Sequence, residues 1–335
     1  MICVTGASGT LSSEVIRKLE GQEMPFRGAY FSERAAETAR ARGIEAVTID
    51  YNHPATLRAA FQGCDAVFLL GPNALNQTEL ELNAVDAASA AGVRRIVKQS
   101  VMGAAEEAYS LANIHRPVEK AIERSGMAWT FLRPNSFMQN AVTFMAPTIR
   151  AEGVFYSASG EARISHVDVR DIAAVAVTAL TAAGHEKKIY TLSGPEALTY
   201  DEVADELSKV LGRVIRHVSL SAADLRAGML AEGMPEAIAN RMLDLERYFR
   251  EDRASTITDD VKRVTGRAPR RFADYVRDYA AWNADVPSAV IGNRSAGVEQ
   301  ARRDWQLAPA SSGGSMILAC DLTPPALSPP VCEQS

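Results

Sequence analysis

The chain opens Met1-Ile2-Cys3-Val4-Thr5-Gly6-Ala7-Ser8-Gly9-Thr10-Leu11-Ser12, and this stretch limits the possible folds more than any other. A short apolar run with β-branched Ile2 and Val4 leads straight into a glycine turn, after which Val15, Ile16 and Leu19 recur at helical spacing. Gly6 and Gly9 stand where a G-x-x-G-x-x-G nucleotide loop has its first two glycines. Such a loop needs a tight turn without a Cβ, a backbone that can approach a pyrophosphate, and helix N–H groups facing the negative charge. Ser12 occupies the place of the third glycine, where close packing of helix on strand favours a small side chain. A two-glycine loop alone also fits an ordinary βα turn. The candidate cofactor contacts Thr5, Gly6, Ser8, Gly9, Thr10 and Leu11 therefore depend on the fold of the next 120 or so residues.

Those residues alternate regularly. Strands are predicted at 25–31, 44–49, 66–70, 95–99 and 129–133, with helices at 33–42, 56–61, 76–91 and 116–125 between them. The strands lack a polar face, which argues for a parallel sheet covered on both sides, the doubly wound α/β (Rossmann) fold. In that fold ligands collect beyond the carboxyl ends of the strands. The positions there are the opening loop from Thr5 to Leu11, Phe31 to Arg34, Asp50-Tyr51, Leu70 to Asn73, Gln99 to Met102 and Arg133 to Phe137.

The end of the second strand distinguishes the two nicotinamide dinucleotides, an acid there binding ribose hydroxyls and a base accepting a 2′-phosphate. Here Phe31 is followed by Ser32, Glu33 and Arg34. Ser32 and Arg34 could hold a phosphate with Glu33 turned outward, so NADP is the expected cofactor and NAD the alternative. Asp50 is placed either to accept from an adenine amino group or to cap a helix.

The segment from Gln99 to Asn140 reads Q-S-V-M-G-A and then I-H-R-P-V-E-K-A-I-E-R-S-G-M-A-W-T-F-L-R-P-N-S-F-M-Q-N. With S-H-V-D-V-R-D-I-A from Ser165 and Y-T-L-S-G-P-E from Tyr190, it resembles the NmrA-like, atypical short-chain dehydrogenase/reductase family. That family includes flavin-independent quinone reductases, azoreductase-like enzymes, triphenylmethane-dye reductases and NmrA regulators. The resemblance covers about residues 1–283. It implies that the Gly6–Leu11 loop holds the pyrophosphate and that Asp50 and Tyr51 border the adenine. Leu70, Gly71 and Pro72 would line the middle of the cofactor. Ser100 and Val101 would lie near the nicotinamide, with Pro134, Asn135, Ser136 and Phe137 walling its pocket.

The usual Tyr-x-x-x-Lys pair, in which lysine lowers the pKa of a proton-delivering tyrosine, is missing. In the family's pattern His115 takes the lysine place and Leu111 the tyrosine place, with Tyr109 two residues earlier. The catalytic candidates are therefore His115 and Tyr109. His115 could anchor the cofactor through its ribose, donate a proton, or simply pin its loop to Glu119. Met102, Phe137, Met138 and Met145 are candidates for an adaptable apolar substrate wall or for ordinary core.

These features imply hydride transfer that asks little proton donation of the protein. A quinone, a dye or a similarly activated conjugated small molecule suits this, since positioning does most of the work. A non-catalytic NADP-binding sensor and an imine or iminium reductase are the alternatives. No flavin or metal is expected. Net charge −5 carries no footprint for nucleic acid, and no apolar run approaches the roughly 20 residues that span a bilayer. Cys3, Cys64, Cys320 and Cys332 lack metal-ligand spacing. A cytoplasmic monomer or homodimer without a secretory signal is the expectation.

Three regions are expected: a dinucleotide-binding core at 1–152, a mostly helical substrate lobe at 153–283 interleaved with it, and a low-complexity tail at 284–335. Asp168 and Asp171 read as acids at a helix N-terminus rather than a catalytic pair, and Thr199 with Glu202 fits a capping box. Met229, Met234 and Met242 are lid candidates.

Overall fold

The computed structural model describes residues 1–284. The low-complexity tail expected at 284–335 lies, beyond Ala284, outside the described residues, as do Cys320 and Cys332. The strands are β1 (Ile2–Thr5), β2 (Phe26–Tyr30), β3 (Glu45–Thr48), β4 (Ala66–Leu69), β5 (Arg95–Gln99), β6 (Ala128–Pro134), β7 (Val154–Ser157), β8 (Lys188–Leu192) and β9 (Arg216–Ser219). Seven of them form one parallel sheet in the order β3-β2-β1-β4-β5-β6-β8. β7 and β9 pair separately, with Val154 opposite Arg216.

The helices are α1 (Thr10–Glu20), α2 (Glu33–Ala41), α3 (Pro54–Phe61), α4 (Gln77–Ala90), α5 (Ser110–Arg124), α6 (Ala146–Glu152), α7 (Val169–Thr181), α8 (Tyr200–Leu211), α9 (Ala222–Ala231), α10 (Glu236–Arg250), α11 (Asp260–Thr265) and α12 (Phe272–Ala284). A π-helical turn, Ala141–Met145, leads into α6. None is long and apolar enough to cross a membrane.

Alternate residues of each strand feed opposite faces of the sheet. Ile2, Val4, Phe68 and Val97 join Val15, Ile16 and Leu19 of α1 and Ile172 and Val175 of α7 in one core. Cys3, Val67, Leu69 and Ile96 join Leu57, Leu80, Val118 and Ile122 of α3, α4 and α5 in another. Burial of both faces explains why the strands read as continuous apolar runs. A third core, with Phe155, Tyr200, Tyr248, Phe249 and Phe272, is drawn mostly from the segment after residue 153, with Tyr109, Met138 and Ile149 joining it from before. That segment also returns α7 and β8 to the sheet, so the chain crosses between core and lobe more than once.

Several boundaries have a visible cause. α3 starts at Pro54, whose ring suits the first helical position. In the capping box of α8 the Thr199 hydroxyl accepts from the Glu202 N–H at 3.1 Å, and the Glu202 carboxylate accepts from the Thr199 N–H at 2.9 Å. Asp168 caps α7, accepting from the Arg170 N–H at 2.8 Å, and Asp171 accepts from the Arg270 N–H at 2.7 Å. Both acids serve structure. The largest departure from expectation is α5, which begins at Ser110 rather than Arg116 and carries Pro117 inside. The Asp244 carboxylate of α10 accepts from the Ser110 N–H at 2.6 Å, so a distant carboxylate caps the start of this helix.

Candidate active site

The strand order reverses direction between β1 and β4, and the crevice outside their carboxyl ends is where this architecture binds ligands. Gly6 has φ +60°, a left-handed conformation that glycine adopts without strain. A Cβ on Gly6 would come within 3.2 Å of Leu70 Cδ2 and 3.3 Å of the Leu70 carbonyl. No side chain caps α1, and its first turn holds no acid, so its N–H groups are left for an anion. The cradle fits a pyrophosphate. Ser12 is fully buried and its hydroxyl donates to the Thr5 carbonyl at 2.8 Å, so the residue in the third glycine's place stitches helix to strand. The Thr5 hydroxyl donates to the Phe68 and Leu70 carbonyls at 3.1 Å and accepts from the Leu70 N–H at 2.9 Å. β1 and β4 are thereby joined at the edge of the crevice. Ser8 and Thr10 are exposed at its rim, and Leu11 is buried beneath it.

At the end of β2, Phe31 is exposed and Ser32 caps α2 through the Ala35 N–H. Glu33 is turned to Arg40, at 2.7 Å, and to the Thr48 hydroxyl. Arg34 is exposed and its guanidinium has no carboxylate partner among the described residues. Asp50 is committed locally, accepting from the Asn52 N–H at 2.8 Å and lying 2.7 Å from His53 Nδ1. Tyr51 is buried and donates to the Leu70 carbonyl at 2.8 Å, so its hydroxyl braces the wall of the crevice.

Below Leu70-Gly71-Pro72 lies a buried polar cluster that the sequence did not reveal. Glu81 of α4 accepts from the Gly71 N–H and from Gln77 Nε2, both at 3.1 Å. A Cβ on Gly71 would fall 2.4 Å from Glu81 Cγ and Oε1, so glycine is required there. Lys98 of β5 places Nζ 2.7 Å from Glu81 Oε2 and 3.1 Å from His115 Nδ1. Of the alternatives for His115, the structural one had it pinned to Glu119; its ring contacts Lys98 instead. A lysine inside the run Arg95-Ile96-Val97-Lys98-Gln99, and a glutamate on the apolar face of α4, were the signals available.

Glu119 is held elsewhere. Arg133 clamps it at 3.0 and 2.7 Å, the Ser100 hydroxyl donates at 2.7 Å and Arg116 at 3.0 Å. Burial alone would raise its carboxyl, but Arg133, Ser100 and Arg116 together hold it below the usual value. Ser100 is therefore a fully buried tether rather than a free donor, and half-buried Val101 comes next in the chain. Asn135 is tied down too. Its Nδ2 donates to Ser165 Oγ at 2.8 Å and to the Ala254 carbonyl at 2.7 Å, and its Oδ1 accepts from the Ser136 N–H at 2.9 Å. Pro134 ends β6, and Ser136 and Phe137 are half-buried beyond it.

Tyr109 stacks on Tyr248 at 4.4 Å between ring centroids, in the lobe core. Burial, with Tyr248 and Asp244 adding to it, pushes its hydroxyl up, opposite to what a proton-delivering tyrosine needs. These are the surroundings of a packing residue. Met138 is 1% exposed and belongs to the same core, so it cannot wall an open pocket. Met102 is buried, and Met145 is half-buried at the end of the π-helical turn. Met229, Met234 and Met242 are half-buried on or beside α9 and α10.

A doubly wound sheet with a glycine cradle at its switch point and an uncapped helix behind it defines a dinucleotide-binding Rossmann protein. The chain belongs to the NmrA-like family, whose model matches residues 1–276. It is 39% identical over 284 residues to an NAD(P)H azoreductase of Xenophilus azovorans, covering 84% of this chain and 98% of that one. A (4-alkanoyl-5-oxo-2,5-dihydrofuran-3-yl)methyl phosphate reductase of Streptomyces griseus is 38% identical over 282 residues, covering 84% and 98%. Among solved structures, an NADPH-dependent quinone oxidoreductase of Escherichia coli complexed with NADPH aligns with a TM-score of 0.77 at 29% identity. That alignment covers 83% of this chain and 99% of the other.

Proposed function

We propose that the protein is an NADPH-dependent, flavin-free reductase that passes hydride to a quinone, an azo compound or a similarly electron-poor conjugated acceptor. The observation that carries this reading is the crevice between β1 and β4, with its pyrophosphate cradle and its unpaired Arg34. Its relatives, reductases of azo, quinone and conjugated compounds, support the substrate class.

The Gly6–Leu11 turn and the uncapped start of α1 hold the pyrophosphate through backbone N–H groups. Arg34, with the Ser32 hydroxyl beside it, takes the 2′-phosphate, because Glu33 is already engaged by Arg40 and Thr48. Asp50 and the Tyr51 backbone border the adenine, and Leu70, Gly71 and Pro72 line the middle of the cofactor. Val101 and the Pro134–Phe137 segment wall the nicotinamide pocket, with Ser100 and Asn135 fixing those walls from behind. Bound NADPH supplies the hydride. The protein contributes position, exclusion of water by the apolar walls, and the His115 imidazole at the edge of the crevice. No tyrosine is needed, because an electron-poor acceptor takes hydride without prior protonation. We read the protein as cytoplasmic and free of bound metal.

The test is to mix purified protein with NADPH and a panel of quinones, azo dyes and conjugated lactones, monitoring the cofactor's absorbance. Oxidation with at least one of these acceptors is expected. Tight NADPH binding with no oxidation by any acceptor overturns the reading.

A further inference from the structure

Lys98 is fully buried, and its ammonium touches three acceptors: the Gln99 carbonyl at 2.5 Å, Glu81 Oε2 at 2.7 Å and His115 Nδ1 at 3.1 Å. An ammonium has three protons and no lone pair, so it can only donate. His115 Nδ1 must therefore present its lone pair, which places the ring's proton on Nε2. Nε2 has no partner among the described residues, and it is not one of the atoms sealed from solvent without a hydrogen bond. The histidine side chain keeps 5% of its surface open, and its neighbours tie it to the end of β5 through Lys98 and to Gly71 through Glu81.

We propose that Lys98 is a positioning residue that fixes His115 as a neutral donor, its Nε2–H turned to an oxygen of the cofactor or acceptor in the crevice. This rests on the reading of the crevice as the dinucleotide site. The titratable and charged groups facing the imidazole are Lys98 on β5, Glu81 on α4 at 3.8 Å and Arg241 on α10. Glu81 accepts from Gly71 and Gln77 through Oε1, and its Oε2 is ion-paired with Lys98 at 2.7 Å. Burial first, then Lys98 and Arg241, hold the imidazole well below its ordinary value, which agrees with a neutral ring. A neutral imidazole can polarise an oxygen without surrendering its proton. The reduction then balances with two electrons and one proton arriving as hydride, the second proton coming from water, and His115 keeping its own.

The experiment uses full-length protein with ¹⁵N-labelled histidine and long-range ¹H–¹⁵N correlation. The expected result is a pyridine-like Nδ1 and a pyrrole-like Nε2 for His115, unchanged between pH 7.5 and about 5.5. A Nδ1–H tautomer or an imidazolium at pH 7 overturns the proposal, and this wild-type measurement needs no variant to fold. The paired variant Lys98→Met with Glu81→Gln removes the donor while keeping the charge balanced. It should lose the single tautomer and fall about tenfold in turnover or NADPH affinity. In a His115→Gln background, where an amide N–H needs no tautomer, the same pair change should cost little more. Loss of the tautomer with turnover and NADPH affinity both intact also overturns the proposal. A wild type that binds NADPH but reduces nothing defeats the reductase reading alone, since the tautomer and NADPH affinity are still read directly.

Discussion

Replacing His166 by Phe should stabilise the protein increasingly as pH falls. His166 is 6% exposed, and neither ring nitrogen has a hydrogen-bond partner among the described residues. Its ring lies 5.9 Å from that of Tyr200 and 6.0 Å from that of Phe272, in surroundings that an apolar ring can occupy. Burial pushes its pKa from 6.5 down to about 4. Between those values the unfolded chain takes up a proton that the folded chain refuses, so stability is full above pH 6.5 and falls toward pH 4. The whole shift corresponds to about 3 kcal/mol, and the part lost between pH 7.5 and pH 5 is about 2 kcal/mol. Phenylalanine cannot titrate, so the difference in unfolding free energy between variant and wild type should widen by that amount. Urea unfolding of both proteins at pH 7.5, 6 and 5 measures it, with equal m-values confirming that the same surface unfolds. Parallel stability curves for the two proteins would falsify the argument that an uncompensated imidazole is buried at this position.

Arg34→Ala should weaken NADPH binding by about tenfold or more while leaving NADH binding unchanged, as measured by fluorescence titration. Equal losses for both cofactors would remove the 2′-phosphate assignment. Arg133→Met leaves Glu119 buried without its main partner and should cost about 3–5 kcal/mol in urea unfolding, more than a simple volume change. A cost below about 1 kcal/mol would mean that Ser100 and Arg116 suffice to hold the carboxylate. Gly71→Ala drives a Cβ to 2.4 Å from Glu81 Cγ, so NADPH affinity and about 1–3 kcal/mol of stability should be lost together. Retention of both would show that Glu81 can move without disturbing the crevice.

The local part of this fold was legible in the sequence. The apolar runs placed the sheet strands to within a residue or two, because burial of the sheet on both faces keeps most strand residues apolar, Lys98 being a buried exception. Gly6, the Thr199–Glu202 box and the Asp168 cap were visible because each depends on neighbours a few positions away. The start of α5 was not, since its cap, Asp244, comes from a helix far along the chain. His115 was singled out, but the one structural partner offered for it, Glu119, was not the one it has, for the same reason. Glu119 is near in sequence, whereas Lys98 is near in space, brought there by strand β5. Tyr109 looked available until α10 laid Tyr248 across it. The features that escaped sequence reading were pairings made across the sheet and between core and lobe, which no periodicity encodes.

The hydroxyl of Thr5 has a consequence for how this crevice accommodates ligands. With Tyr51 sharing the Leu70 carbonyl and Glu81 gripping the Gly71 N–H, one wall is cross-braced to two neighbouring elements and cannot yield piecemeal. The chain beyond β6 is built differently: a π-helical turn, with weaker bonding geometry, and Phe144 exposed on it. The β1–β4 side of the crevice is thus stiffly braced, and the turn that follows β6 is the less regularly bonded element. Substitutions between residues 141 and 152 should therefore shift the range of acceptors before they shift NADPH affinity, as steady-state rates over an acceptor panel would show.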